Sequence, residues 1–158
     1  MLSNNLIPHI HKILKHEGGV ISIDLFFKHD FKFRIISVYV SSTDISRRNS
    51  TQTKVNQWIQ QALNQQLYPI VLGDFNVDIS TTNSATSKSR LINFLTSNNL
   101  YDLANHTSNT SYTWHNNQSQ TRIDYIWCYE SIIPYLQKFS LEDPSTSIQS
   151  NHMILVSS

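Results

Sequence analysis

The stretch Tyr68-Pro69-Ile70-Val71-Leu72-Gly73-Asp74-Phe75-Asn76 restricts what this chain can become more than any other. Three apolar residues after a proline read as a short buried strand. That strand runs directly into a glycine, an aspartate and, one residue further, an asparagine. In open α/β sheets the carboxyl ends of the strands are where ligands bind. Gly73 lets the backbone turn sharply and leaves room for a group to come close to the main chain. The same residues also suit an Asx turn, in which Asp74 and Asn76 bond only local backbone. What the rest of the chain brings to this strand end decides between a turn and a site.

The hydrophobic pattern around that strand is α/β. Residues 5–16 suggest a short helix, limited by Pro8 and broken at Gly18-Gly19. Val20 to Phe27 alternates, with Ile21, Ile23, Leu25 and Phe27 on one face, and Phe33 to Val40 reads as its hairpin partner. Residues 41–53 read as polar loop. Val55, Trp58, Ile59, Ala62, Leu63 and Leu67 then have the spacing of a helix laid on a sheet. After the central strand come a Ser/Thr/Asn loop at 78–89 and a second helix marked by Leu91, Ile92, Phe94 and Leu95. An apolar stretch at 100–104, strands at 112–114 and 122–128 joined by the turn 115–121, a helical turn at 131–136 and a strand at 153–156 complete a mixed sheet. No repeat or linker divides residues 1–158, so a single domain is expected.

Composition closes off other classes. At 158 residues the chain is long enough to bury a core. Its formal charge of +1 announces no broad basic field for nucleic acid. A single cysteine, Cys128, excludes an intrachain disulfide or a multi-cysteine zinc site, and its apolar neighbours suggest a buried, inert thiol. No apolar run approaches a membrane span, and Pro8, His9 and His11 interrupt any signal-peptide core, so no membrane association and an intracellular location are expected.

The residues able to carry chemistry fall at strand ends. Asp124 lies inside the apolar run Arg122-Ile123-Asp124-Tyr125-Ile126, where a carboxylate costs several kcal/mol (roughly) unless it has a partner. His152, in Ser150-Asn151-His152, is the natural partner, because a carboxylate orients an imidazole and makes it more basic. Tyr39 stands near the end of the second strand. Taken singly, each has a structural reading: a turn-capping aspartate, a loop histidine, a core aromatic.

Together, Gly73-Asp74-Phe75-Asn76, Arg122-Ile123-Asp124-Tyr125 and Ser150-Asn151-His152 resemble the endonuclease/exonuclease/phosphatase superfamily. That group includes DNase I, apurinic/apyrimidinic endonucleases and the endonuclease domains of LINE-type retrotransposons. Val38-Tyr39-Val40 is similar to the family's tyrosine-bearing strand, and Thr113-Trp114 to the Thr-Trp before its Arg-Ile-Asp-Tyr strand. The resemblance spans about residues 19–157 and is closest in flavour to the retroelement enzymes. It implies a four-layer α/β sandwich, here incomplete at its N-terminal side, and a metal-dependent phosphodiester hydrolase, DNA being its foremost substrate.

Residue by residue, the resemblance implies that Asp74 orients or deprotonates water while Asn76 holds that water or a phosphate oxygen. His152, braced by Asp124, would donate to the phosphate, and Tyr39 would hydrogen-bond it. Asp74 and Asn151 would face Mg²⁺ or Mn²⁺. The family's early metal-binding glutamate has no counterpart here, and Asn151 replaces an expected aspartate. Weak metal binding follows, because a hard cation prefers carboxylates. A catalytically silent fragment or a non-catalytic nucleic-acid-binding remnant is the alternative. A nuclear location would fit a retroelement origin, and an uncovered sheet edge would favour self-association.

Overall fold

The computed structural model describes residues 4–17, 19–81, 86, 89–107, 111–144 and 150–158. Its strands are β1 (Ile10–His16), β2 (Val20–Phe26), β3 (Lys32–Tyr39), β4 (Tyr68–Asp74), β5 (Leu100–Asp102), β6 (Trp114–His115), β7 (Gln120–Thr121), β8 (Asp124–Tyr129), β9 (Phe139–Glu142) and β10 (Ile154–Ser157). The helices are α1 (Ile45–Asn64), α2 (Arg90–Ser97) and the short α3 (Leu103–His106). Six strands form one mixed sheet in the order β1-β2-β3-β4-β8-β5. Only β3 and β4 run parallel within it. A parallel pair needs a crossover, and α1 is that crossover.

One face of this sheet is the core. Ile36, Val38, Val71, Tyr125 and Trp127 pack with Val55, Trp58 and Ile59 of α1 and with Leu91 and Leu95 of α2. The other face carries a row of register partners, Ile13, Ile23, Ile35, Ile70, Cys128 and Tyr101, running from edge to edge. Near its β8 side, Leu155 of the β9–β10 pair joins Leu72, Asp124 and Ile126 around a cavity of about 190 Å³. Towards β1 the face is open: Ile13 is 51% and Ile21 44% exposed. Cys128 is buried, and burial pushes its thiol up to about 12, an inert group as expected. No helix among the described residues is long and apolar enough to cross a membrane.

Two expectations are corrected. Residues 5–16 are not a helix: a 3₁₀ segment at Asn4–His9 leads into β1, which pairs antiparallel with β2. Pairing satisfies β2's outward backbone groups, a long-range gain that local helix propensity does not register. Second, most of 41–53 is the first part of α1. Asp44 caps it by accepting the Arg47 N–H at 2.9 Å, and its buried residues there are polar: Arg48, Thr51 and Gln52. Along β2, Val20, Ser22 and Asp24 are buried on the α1 side, where Asp24 meets Arg34 at 2.7 Å in a buried ion pair, while on the opposite, apolar face Leu25 is buried and Ile21 is exposed. The strand β9 was not anticipated, and half of the 78–89 loop lies outside the described residues.

Candidate active site

The sheet register assembles the site. Tyr39, the last residue of β3, pairs with Asp74, the last of β4. Asp74 in turn pairs with Asp124, the first residue of β8. Side chains alternate along strands, so these three share the face turned away from α1. Gly73 precedes Asp74 at φ 133°, and a Cβ there would strike the carbonyl oxygen of Val38. Only glycine accepts both that conformation and that approach of β3.

Asp74 ends β4 in an Asx turn and remains available to the site. Its Oδ1 accepts the Asn76 N–H at 2.8 Å. Asn76 holds a left-handed conformation, φ 49°, which asparagine tolerates better than most residues. Its Nδ2 donates to the Val40 carbonyl at 2.8 Å, locking the end of β3 to the end of β4. Burial raises the Asp74 carboxyl above its ordinary value of 3.8. The Asn76 hydrogen bond opposes the rise, the charge of Asp124 adds to it, and His152 lowers it.

His152 comes from the other end of the chain. Its Nδ1–H donates to Asp124 Oδ2 at 2.9 Å, which leaves Nε2 for a substrate. The Asp124 side chain is 14% exposed and that of His152 39%, so the pair sits at the mouth of the site. His152 is held by a bridge to Trp114, flanked by Met153 N–H to the Thr113 carbonyl at 2.7 Å and His115 N–H to the Asn151 carbonyl at 2.9 Å. Asn151 is exposed and lines a cleft with His115, Asn116, Asn117 and Gln118. Tyr39, 46% exposed, stands beside Asp74.

One donor atom from each of Asp74, Asp124 and His152 can be chosen so that all lie within 4.8 Å of one another. Two facing carboxylates, one with its proton affinity raised, form a place that a divalent cation suits in charge and reach. Two supporting features escaped sequence reasoning. Arg122 is buried against Asp102 at 2.6 Å, with its guanidinium 4.5 Å from the Tyr125 ring centre, and so braces the strand entry. Thr113 is fully buried, and its Oγ1 accepts both the Ile123 and Asp124 N–H groups, at 3.0 and 2.9 Å. Its place before Trp114 was the only available signal.

Solved structures repeat the fold. A 3′-phosphatase, NExo, from Neisseria bound to product DNA hairpin superposes with a TM-score of 0.69 at 16% identity, covering 91% of this chain and 65% of that one. An AP endonuclease from Archaeoglobus fulgidus gives 0.68 at 14% identity, covering 94% and 68%. The endonuclease domain of TRAS1, a telomere-specific non-LTR retrotransposon, gives 0.64 at 12%, covering 91% and 66%. This chain therefore spans about 65% of the length of the Neisseria structure. No curated protein matches it. The profile described as endonuclease-reverse transcriptase matches residues 33–156, a span that holds Tyr39, Asp74, Asp124 and His152, and the chain belongs to that family.

Proposed function

We propose that this chain is a metal-dependent phosphodiester hydrolase of retroelement origin that acts on nucleic acid, DNA above all. The observation that carries the reading is the Asp124–His152 hydrogen bond, 2.9 Å long, beside the register-paired Asp74. In hydrolysis a water oxygen attacks phosphorus, the bond to the leaving oxygen breaks, and that oxygen takes up a proton. Asp74, whose raised proton affinity suits a base, orients the water and accepts its proton. His152 presents Nε2 to a non-bridging phosphate oxygen, and Asp124 stabilises the charged imidazole as negative charge develops. The Tyr39 hydroxyl adds a hydrogen bond to the phosphate. Asn76 holds the water or a phosphate oxygen with what its amide has left beyond Val40.

Asp74 and Asp124 would hold Mg²⁺ or Mn²⁺, with Asn151 as a neutral oxygen donor, and the ion would supply charge neutralisation and Lewis-acid polarisation of the phosphate. One observation favours the alternative of a catalytically silent remnant: Asp124 is committed to His152, which leaves Asp74 as the free carboxylate of the cluster. The two readings separate in a plasmid-nicking assay with Mg²⁺ or Mn²⁺. Cleavage that Asp74→Ala abolishes supports the hydrolase, and wild-type cleavage no greater than that of Asp74→Ala supports the remnant. An active retroelement endonuclease would work in the nucleus, where it meets DNA. The open apolar face and the β1 edge further suggest that copies of the chain associate there.

A further inference from the structure

Three segments distant in sequence meet at one buried hydroxyl. Thr113 is 0% exposed. Its Oγ1 accepts the Ile123 N–H at 3.0 Å and the Asp124 N–H at 2.9 Å, the two amides at the entry to β8. Its carbonyl accepts the Met153 N–H at 2.7 Å, next to His152, and its own N–H donates to the Thr121 carbonyl at 3.0 Å. The Ile123 carbonyl accepts the Phe75 N–H at 2.8 Å, immediately after Asp74. The backbone of Asp124 is thus fixed by Thr113, that of His152 hangs from it, and the end of β4 is tied on through Ile123.

We propose that Thr113 is the positioning residue of this site, its hydroxyl holding Asp124 in register with Asp74 and within hydrogen-bond reach of His152. The role deepens the hydrolase reading, and it follows from hydrogen-bond stoichiometry. A strand entering a sheet leaves its first N–H groups without ladder partners, and buried N–H groups need acceptors. A threonine oxygen has two lone pairs, and here both are used. Valine has the same branched shape but no acceptor, so Thr113→Val strands two amides while keeping the backbone contacts of residue 113. Relaxing those amides towards water moves Asp124, and Asp124 is what fixes the His152 ring.

The readout is the His152 Nδ1-bound proton in NMR spectra of the whole chain, a signal that needs no catalysis and so decides the proposal even for a chain that cleaves nothing. The wild type gives a slowly exchanging downfield resonance that Asp124→Ala removes. Thr113→Ser keeps the resonance, Thr113→Val loses it, and Thr113→Ala, with space for a water in place of the hydroxyl, weakens it. Circular dichroism establishes which variants fold. A folded Thr113→Val or Thr113→Ala chain with the wild-type resonance and exchange rate overturns the proposal. If neither folds, amide exchange of the wild type decides: Ile123 and Asp124 are expected to be as protected as the interior of β8, and fast exchange at both overturns it.

Discussion

Asp74 and Asp124 lie directly opposite each other across the antiparallel β4–β8 pair, so one carboxylate titrates in the field of the other. Burial is the larger cause of Asp74's raised value and Asp124 a smaller one. Asp124→Asn is therefore expected to lower the Asp74 titration midpoint. Carboxyl-carbon NMR titration measures this, and an unchanged or higher midpoint would contradict it.

The same raised value fixes a stability sign. The native chain binds the Asp74 proton more tightly than the unfolded chain, so ionising Asp74 weakens the fold as pH rises through its folded value. Asp74→Asn retains an oxygen for the Asn76 N–H and removes that charge. The variant is expected to be more stable than the wild type at neutral pH, with the gain disappearing below pH 3.8. Urea melts at several pH values test it, and a pH-independent difference would contradict the linkage.

Asp24 and Arg34 form a buried ion pair at 2.7 Å, and Arg34 Nη1 also donates to the Trp58 carbonyl at 3.1 Å. Removing one partner leaves a buried charge unpaired. Asp24→Ala is expected to cost about 3–5 kcal/mol in denaturant unfolding. A loss below about 1 kcal/mol, typical of an exposed pair, would show that water reaches Arg34.

The open face makes its own prediction. Ile13 and Ile21, more than two-fifths exposed, lie on β1 and β2 at the side of the sheet away from β9–β10. If copies associate there, Ile13→Lys with Ile21→Lys shifts the chain to monomer in light scattering. A wild type that is already monomeric at high concentration would end the self-association reading.

What the sequence made legible was the part set by local chemistry. A strand that ends in Gly73-Asp74 and an aspartate inside an apolar run both demand partners, and those demands led to the Asp74–Asp124–His152 cluster. What stayed hidden depends on distant residues. β1 is a strand because β2 offers it a backbone ladder. The first turns of α1 bury Arg48, Thr51 and Gln52, so no hydrophobic period marks them. That Asp24 pairs with Arg34 and so lies on the buried side, with Ile21 on the opposite face, could be seen only once β2 and β3 were in register. The hydrogen-bonding role of Thr113 stayed hidden behind its place before Trp114 for the same reason: its partners, Ile123 and Asp124, come 10 and 11 residues later.

The central claim is that Asp74 and His152 are parts of one hydrolytic site. Its most direct test is metal-dependent nicking of supercoiled plasmid by the wild type, Asp74→Ala, His152→Ala and the double variant at equal concentration. Groups that act as a unit are not additive. Each single substitution is expected to lower the rate by at least about 10²-fold, and the double variant to be no slower than the slower single one. A wild-type rate equal to that of Asp74→Ala, or losses that multiply in the double variant, would contradict the account.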